Sequence, residues 1–390
     1  MNRTLLAALA LLGAVAGCLP NEVDVAPDGR LVLSLRPEGR YKFVSSEDDQ
    51  EIYVLSADLS KVERLTRNDT FDGYPRFARG GKAVLYVEQV KPAPRPGEPD
   101  PAVVGSRMLL FVHDLASGER RELGPVSGLA FPRVSPDGGK VAVCVTGGRE
   151  GRRGPDAPGV ADRTYTVAVI DIETGKVVRT LQSVLPITAW LGSSRLVAVR
   201  TIAPVVPDED NLWFGRLTAF AIEPPALEDQ DLASGVFFGF TLIAARPDGE
   251  AVAFAAPEVT LPASPQALAA AVNDASEGFG VHEVRLADRA LRRVSARERA
   301  AFYLEYAPDG RLAHVAFARK GESRVVIGDA GGGFAAGDVG PLRFLGKDRL
   351  LYVETTESGD RPDRLLIREL GPGATVDVSA RLEALLGGKK

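Results

Sequence analysis

The chain has few of the residues that enzymes most often use for catalysis or metal binding. Among its 390 residues are 3 histidines, 2 cysteines, 2 tryptophans and 2 methionines, and the formal net charge is only −5. Lysine and arginine are scattered, so no basic surface indicates a nucleic-acid partner. The sequence has no Gly-x-Ser-x-Gly nucleophile motif, no His-Glu-x-x-His zinc motif and no Gly-x-x-x-x-Gly-Lys-Ser/Thr phosphate loop. We therefore expect no cofactor, no metal ion and no nucleic acid, and we predict that the protein is not an enzyme.

The histidines and the second cysteine are placed as structural residues would be. His113 and His314 lie within predicted strands and His282 begins one, a spread that does not favour a metal cluster. Cys144 lies in an apolar run, which predicts a buried, unreactive thiol. The carboxylates of Glu47–Glu51 would attract Ca²⁺, but they lack a defined ligand spacing, so a solvated loop is the alternative.

The N-terminal segment has the pattern of a secretory signal. A cationic start is followed by an apolar run that is too short to cross a hydrocarbon core of ~30 Å and that ends in small residues. The tetrapeptide Val15–Cys18 resembles the lipobox of bacterial lipoproteins. This resemblance implies a signal peptide over residues 1–17, a lipidated Cys18 and a short tether over residues 18–22.

The same segment predicts where the protein resides. A lipidated Cys18 would be embedded in a leaflet of the bacterial cell envelope, so one partner is the membrane itself. Leu19 stands where an aspartate would signal inner-membrane retention in Proteobacteria, which favours the periplasmic leaflet of the outer membrane. The alternative is an ordinary signal peptide, cleaved after Ala16 or Gly17, that leaves a free thiol.

A short turn recurs along the rest of the chain. Proline presets φ, aspartate can bond its own backbone and glycine accepts a positive φ, so Pro-Asp-Gly is a strong turn signal. Apolar segments precede and follow each turn, as the strands of a hairpin do. The turns are Ala26–Arg30, Arg79–Lys82, Ser135–Gly138, Leu191–Ser194, Arg246–Gly249, Ala307–Gly310 and Leu345–Asp348.

These turns divide the chain into repeats of four short strands. Four antiparallel strands in each repeat of about 40–60 residues are typical of a β-propeller blade. We therefore predict an all-β fold, a single propeller of seven four-stranded antiparallel blades over residues 23–381. Six blades are the alternative, because the fourth repeat is weak around Glu223–Ser234. Residues 382–390 are expected to form a C-terminal tail, and Ser379–Leu386 a short helix.

Parts of the repeat resemble the blades of the TolB-type propellers, which carry WD40-like, or PD40, repeats. The resemblance is strongest over Glu51–Asp58, Arg64–Thr66 and Asp72–Phe77, and Leu129–Gly138 and Tyr306–Gly310 match in part. It extends over nearly the whole mature chain and implies a fold without implying an activity. TolB has a separate N-terminal α/β domain and is a soluble periplasmic protein. This chain, in contrast, is expected to carry a lipid and to begin its first blade directly after the tether.

Long insertions are expected to gather on one face of the disc. In a blade, the connections after strands one and three lie on one face, and those after strands two and four lie on the other. The tight turns belong to the first group, whereas the long insertions follow second strands. Long loops on a rigid scaffold are where binding commonly takes place. The insertions are Gln89–Arg107, Thr146–Arg163, Ile202–Asn211, Pro257–Gly280 and Thr355–Asp363.

The insertions supply the candidate partner-binding residues. One is cationic and another is acidic, and the acidic one runs into an aromatic residue. An exposed aromatic anchor between charged loops is typical of a binding face. The alternative is that the loops are merely solvated and that the tryptophan begins a core strand. The candidates are Arg149, Arg152, Arg153, Arg163, Asp208, Glu209, Asp210 and Trp213.

Two functions from different classes follow from this organisation. The first is a monomeric, lipid-anchored binding or scaffold protein that engages an envelope protein or a glycan with its loop face. The second is a propeller-type enzyme, such as a lyase, lactonase or esterase, with its site at the central channel. The small number of histidines favours the first. One sequence does not show which carboxylates converge in the channel, as the second would require.

Overall fold

The computed structural model describes residues 23–36, 50–90, 107–146, 165–204, 212–223, 228–239, 241–257, 279–295, 300–319, 322–328, 332–336, 338–355, 363–371 and 374–387. The predicted signal peptide, Cys18 and the tether lie outside these ranges, as do most residues of the five insertions. The described residues are mostly strands, and within each group of four the strands pair antiparallel in chain order.

The first half of the chain forms sixteen strands in four consecutive groups of four. The first eight are β1 Asp24–Val25, β2 Leu31–Leu35, β3 Glu51–Leu55, β4 Val62–Arg64, β5 Asp72–Ala78, β6 Ala83–Val90, β7 Arg107–Asp114 and β8 Arg120–Val126. The next eight are β9 Arg133–Val134, β10 Lys140–Thr146, β11 Tyr165–Asp171, β12 Val177–Val184, β13 Ala189–Leu191, β14 Arg195–Pro204, β15 Leu212–Ala221 and β16 Gln230–Phe238. A single 3-10 turn, Arg79–Gly81, lies between β5 and β6.

The second half adds twelve strands in three groups and ends in an α-helix. The first six strands are β17 Ile243–Ala245, β18 Ala251–Pro257, β19 Phe279–Arg285, β20 Leu291–Arg293, β21 Ala300–Tyr306 and β22 Leu312–Arg319. The last six are β23 Glu322–Ile327, β24 Gly332–Ala336, β25 Asp338–Leu345, β26 Arg349–Thr355, β27 Arg364–Glu369 and β28 Thr375–Asp377. The helix, α1, is Val378–Gly387.

The strands form five four-stranded sheets and one eight-stranded sheet. The large sheet combines β9–β12 with β13–β16 through a single bridge between Val184 and Arg200. This architecture confirms the predicted all-β propeller of four-stranded antiparallel sheets. We treat the two halves of the large sheet as separate blades and number the blades one to seven in chain order. The seven-blade count itself stays the prediction made from the turns.

The first strands of the blades surround a central channel. Each contacts the first strand of the next blade, and β25 contacts β1, so these strands form a closed cycle. The middle strands of blade one, β2 and β3, are buried at every residue, whereas the outermost strands β4 and β24 are exposed or partly exposed. Both faces of each sheet pack against neighbouring blades, which explains the nearly continuous apolar strands that the sequence contains.

The tight turns after the first strands form a linked rim around one mouth of the channel. Four pairs of neighbouring turns are joined by hydrogen bonds: Arg30 Nη2 to Gly81 O (2.7 Å), Arg79 N to Gly138 O (3.2 Å), Asp137 N to Ser193 Oγ (3.2 Å) and Arg311 Nη2 to Lys347 O (2.6 Å). At Gly138, φ is +72° and an added Cβ would lie 2.5 Å from the backbone nitrogen of Arg79. Only glycine therefore allows these two turns to approach so closely.

The C-terminal helix α1 closes the ring between the last and first blades. It contacts β27 of blade seven and β4 of blade one, and its residues Val378 and Leu382 are fully buried. Asp377 caps the helix by accepting a hydrogen bond from the backbone nitrogen of Ala380 (3.1 Å). The predicted helix over Ser379–Leu386 is thus confirmed, with one additional residue at each end. Among the described strands, none from the N-terminal end completes the last blade.

Candidate functional site

One position in every first strand points into the channel at the same depth. It lies three residues before the proline position of the Pro-Asp-Gly-type turn. The proline position is Pro27 in blade one and Pro136 in blade three. The residue at this position pairs with the corresponding residue of the second strand, as Asp24 does with Val32 and Arg133 with Ala142. We call this set the ring positions. They are Asp24, Arg76, Arg133, Ala189, Ala244, Glu305 and Arg343.

The ring positions line two adjoining cavities in the channel, of about 260 and 220 Å³. Arg133 and Arg343 border both cavities, while Glu305 lines the first, and Asp24 and Arg76 line the second. Five of the seven ring positions are therefore ionisable, with three guanidinium groups and two carboxyl groups. Each cavity exceeds several-fold the ~30 Å³ that one water molecule occupies in the liquid.

The guanidinium groups are held in place by backbone carbonyls of the first strands. Arg76 Nε donates to Pro132 O (3.1 Å) of the neighbouring blade, and Arg76 Nη1 donates to Pro75 O (3.0 Å). Arg343 Nη1 donates to Leu342 O (2.9 Å) and to Glu305 Oε2 (3.1 Å). Because each bond to the strand backbone limits side-chain freedom, these charges are preorganised in the channel.

The two carboxyl groups are less acidic than exposed ones. Burial in the channel raises the pKa of Asp24, although Arg343 and a hydrogen bond from the Phe77 nitrogen to Asp24 Oδ2 (2.8 Å) oppose the shift. Burial likewise raises the pKa of Glu305 against the attraction of Arg343. Both carboxyl groups thus take up protons more readily than carboxyl groups in water.

The guanidinium groups repel one another. Burial, followed by the positive charge of Arg343, lowers the pKa of Arg133 to about 9. Burial, followed by the charges of Arg133 and Arg343, lowers the pKa of Arg76 as well. At neutral pH the ring holds more positive than negative groups, so its interior favours anions.

An aromatic layer lies two residues deeper than the ring. Tyr74, Phe131 and Tyr303 occupy the same position relative to their turns and share a positive φ of 55°, 41° and 55°. Tyr74 and Phe131 pack edge to face, with ring centroids 5.8 Å apart. All three are buried members of the largest core cluster. Tyr303 also lines the 260 Å³ cavity, so this cavity extends from the ring to the aromatic layer on the insertion side.

Most of the predicted site residues lie outside the described part of the chain. Seven of the eight candidates are in this group: Arg149, Arg152, Arg153, Arg163, Asp208, Glu209 and Asp210. Trp213 is described, and it is a core residue of β15 with only 3% of its surface exposed. An aromatic anchor must be exposed to contact a partner, so Trp213 fits the alternative interpretation, the start of a core strand.

The histidines and Cys144 occupy separate places in the blades. His113 lies in β7, His282 stacks on Phe254 with ring centroids 5.8 Å apart, and His314 is buried in β22. Within the described ranges, no group of three or more histidine, cysteine, aspartate or glutamate residues is arranged to hold a metal ion. The Cys144 side chain is buried and in no disulfide among the described residues, and its burial was predicted. No helix in the described ranges is long and apolar enough to span a membrane.

Several known structures share this fold. The chain is similar to the propeller domain of the trilobed protease from Pyrococcus furiosus, with 11% identity, a TM-score of 0.58 and coverage of 92% of this chain and 97% of that one. It is also similar to the acylaminoacyl peptidase from Pyrococcus horikoshii, with 14% identity, a TM-score of 0.59 and coverage of 95% and 54%. TolB from Acinetobacter baumannii is a weaker match, with 13% identity, a TM-score of 0.46 and coverage of 88% and 61%.

The likenesses to the trilobed protease and the acylaminoacyl peptidase support a β-propeller fold and no particular activity. Other similar structures include prolyl endopeptidases and an oligogalacturonate lyase in complex with manganese, so the fold occurs with different chemistries. This chain spans only about half to three fifths of the length of the peptidases and of TolB. No model of a protein family and no curated protein matches the chain.

Proposed function

We propose that the protein is a lipid-anchored binding protein of a bacterial envelope, which engages a protein or glycan partner with the insertion face of its propeller. One observation carries the proposal, the difference between the two faces of the disc. The connections between first and second strands are short turns joined into a rim. On the opposite face, the connections between second and third strands include residues 91–106, 147–164 and 258–278.

The strand assignments add one more long connection to the five insertions that were predicted for the insertion face. A further long connection runs from β2 to β3 over residues 36–50, beyond the five insertions named from the sequence. A rigid disc with long loops on one face suits recognition, since the scaffold fixes the loop ends while loop sequences vary. The charged candidates lie outside the described residues and are proposed to belong to this face: Arg149, Arg152, Arg153, Arg163, Asp208, Glu209 and Asp210.

A crosslinking pull-down from the native envelope tests the proposal. The test variant shortens the connections over residues 147–164 and 258–278, and the control is Glu119→Lys, an exposed change in a tight turn on the other face. We expect a discrete partner that is captured by the wild type and the control but not by the test variant. Capture of the same partner by the test variant would remove the insertion face from consideration, and so would the absence of any partner.

A second candidate function is an enzyme with its site in the channel. Two observations favour it, the convergence of Asp24 and Glu305 on one cavity system and the raised pKa of both carboxyl groups. Perturbed carboxyl groups in a cavity are typical of general acids, although structural ion pairs have the same property. A substrate turned over by the wild type but not by Glu305→Gln would identify this function.

A further inference from the structure

We propose that the ring positions form a binding site for an oxyanion, a carboxylate or phosphate group on a small ligand, which enters from the tight-turn face. The site is independent of the proposed function, because the insertion face lies at the opposite end of the channel. Three guanidinium groups converge there from blades two, three and seven, and two carboxyl groups accompany them. A bound oxyanion would balance the excess positive charge.

The chemistry of the ring matches this ligand class. A guanidinium group presents a planar fork of donors that fits carboxylate and phosphate oxygens, and it does not lose its charge near neutral pH. Arg133 and Arg343 border both cavities, so an anion in either cavity lies against at least these two groups. The Arg343–Glu305 ion pair, at 3.1 Å, shows that a carboxylate already fits against one of the forks.

A hydroxyl group in the same cavity lacks a partner. Thr188 lines the 260 Å³ cavity next to the ring position Ala189, and it is 1% exposed. Within the described ranges, its Oγ1 makes no hydrogen bond. Buried hydroxyl groups are normally satisfied, so this atom is available to donate to a ligand oxygen. Thr188 therefore supplies a neutral donor beside the charged forks.

The ring lies close to the tight-turn face. It lies three residues from the tight turns, or about 10 Å along an extended strand. Turn residues Pro27, Gly81 and Pro136 line the same cavities as the ring. On the other side of the ring lies the aromatic layer, and Tyr303 of this layer lines the 260 Å³ cavity. A small ligand thus enters past the rim of turns, and its anionic end meets the ring first.

The mutual repulsion of the guanidinium groups also supports the binding of an anion at the ring positions. Arg133 and Arg343 each lower the pKa of Arg76, and Arg343 lowers that of Arg133. A negative charge between these groups would offset the repulsion, which would make the free energy of anion binding more favourable. Low exposure of the ring to bulk solvent strengthens the interaction, because screening by water is reduced.

The chain contains its own reporter for this site. Trp190 adjoins Ala189, lines the 260 Å³ cavity and donates from Nε1 to Arg133 O (2.7 Å). The other tryptophan, Trp213, lies in the core of β15. In a Trp213→Phe variant, all tryptophan fluorescence therefore comes from the channel.

The test is a titration of the purified protein with inorganic phosphate and, separately, with citrate, at constant pH and chloride concentration. Heat is measured by calorimetry, and fluorescence is measured in the Trp213→Phe background. We expect a saturable signal from at least one anion, and the comparison of the two arms distinguishes a phosphate site from a carboxylate site. If neither anion gives a saturable signal, the proposal is wrong.

Two ring variants with opposite expected effects locate the binding. Arg133→Gln should weaken binding by roughly tenfold or more, since it removes a charge-assisted donor. Glu305→Gln should tighten binding about threefold or more, because it removes a competing carboxylate. Arg349→Gln, at an exposed position in β26, is the control and should leave binding unchanged.

The outcome remains decisive if one variant fails to fold. Should Arg133→Gln lose its native circular dichroism, the direction of the Glu305→Gln effect decides alone. Unchanged affinity in Glu305→Gln, or an equal loss in Arg349→Gln, would show that the anion binds elsewhere on the protein. Tighter binding in Glu305→Gln, together with no effect of Arg349→Gln, would establish the ring as the site.

Discussion

Asp72 carries a carboxyl group into the interface between the first two blades. The residue is fully buried in β5, and Asn68 Nδ2 donates to its Oδ2 at 3.0 Å. Burial, together with the nearby carboxylates of Glu88 and Glu51, raises the pKa of Asp72 to about 8. Asp72 is therefore largely protonated in the folded chain at neutral pH, whereas an unfolded aspartate is ionised there.

This difference predicts that stability falls as the pH rises. Between pH of about 4 and 8, the folded chain holds a proton on Asp72 that the unfolded chain has lost. The stabilising contribution is complete below the unfolded pKa and is lost as the pH rises through the folded pKa. Asp72→Asn imitates the protonated form, so its free energy of unfolding should exceed that of the wild type by roughly 2–4 kcal/mol at pH 9, and by little at pH 5.

Urea unfolding at both pH values measures the effect. The control is Asp288→Asn, a change at an exposed aspartate in the turn before β20, which should follow the wild type at both pH values. Parallel stability profiles of Asp72→Asn and the wild type would show that Asp72 is ionised in the folded chain.

At the scale of single residues, the ring positions could not be predicted as a site from the sequence. Each ring residue is one side chain in a repeat, and Asp24, Arg76 and Glu305 are far apart in the sequence. Alignment of the seven tight turns, which were recognised, places these residues at one common position. Their convergence becomes visible only once the first strands are known to surround one channel.

Among the elements, α1 is the one that connects the last blade to the first. Its apolar residues Val378 and Leu382 pack into the core cluster that also contains residues of blade one. The Ser379 hydroxyl accepts a hydrogen bond from the backbone nitrogen of Leu365 (2.6 Å), which fixes the helix to β27. The helix therefore holds the two ends of the propeller together by packing, without an exchanged strand among the described residues.

Leu382→Ala should lower the free energy of unfolding by about 2–4 kcal/mol, the usual range for truncating a fully buried leucine. Urea unfolding measures the loss, with the exposed neighbour change Glu383→Ala as the control that should leave stability within about 0.5 kcal/mol. Truncation after Asp377 should be at least as damaging as Leu382→Ala. If the truncated chain unfolds like the wild type, the helix does not close the ring.

The strands that follow tight turns could be predicted from the local sequence, whereas the placement of a residue that follows an insertion could not. The strands β2 and β6 begin directly after the predicted turns Ala26–Arg30 and Arg79–Lys82, because the apolar segment after each turn specifies the strand. Trp213 was harder to assign, because an aromatic residue after an acidic stretch suits a binding loop and a core strand equally. Its burial was decided by packing against other blades, which no local pattern contains.

On the scale of the whole molecule, the two faces of the disc are suited to different ligands. The tight-turn face leads to a charged ring, for which we propose a small anion, whereas the proposed macromolecular partner would bind the insertion face. The aromatic layer lies between them. A ligand in the ring and a partner on the loops would therefore bind without competing for the same residues.

The lipobox-like segment predicts that the whole molecule is attached to a membrane. We expect the wild-type chain, expressed with its own signal in a bacterial host, to fractionate with membranes and to be released by detergent but not by salt. Cys18→Ala removes the only predicted acylation site, so this variant should be soluble or remain unprocessed. Cys144→Ala is the matched control, because the second cysteine is buried within a blade and should not affect fractionation. Membrane attachment of a processed Cys18→Ala chain would contradict lipid anchoring, and would instead indicate that the disc itself binds the envelope.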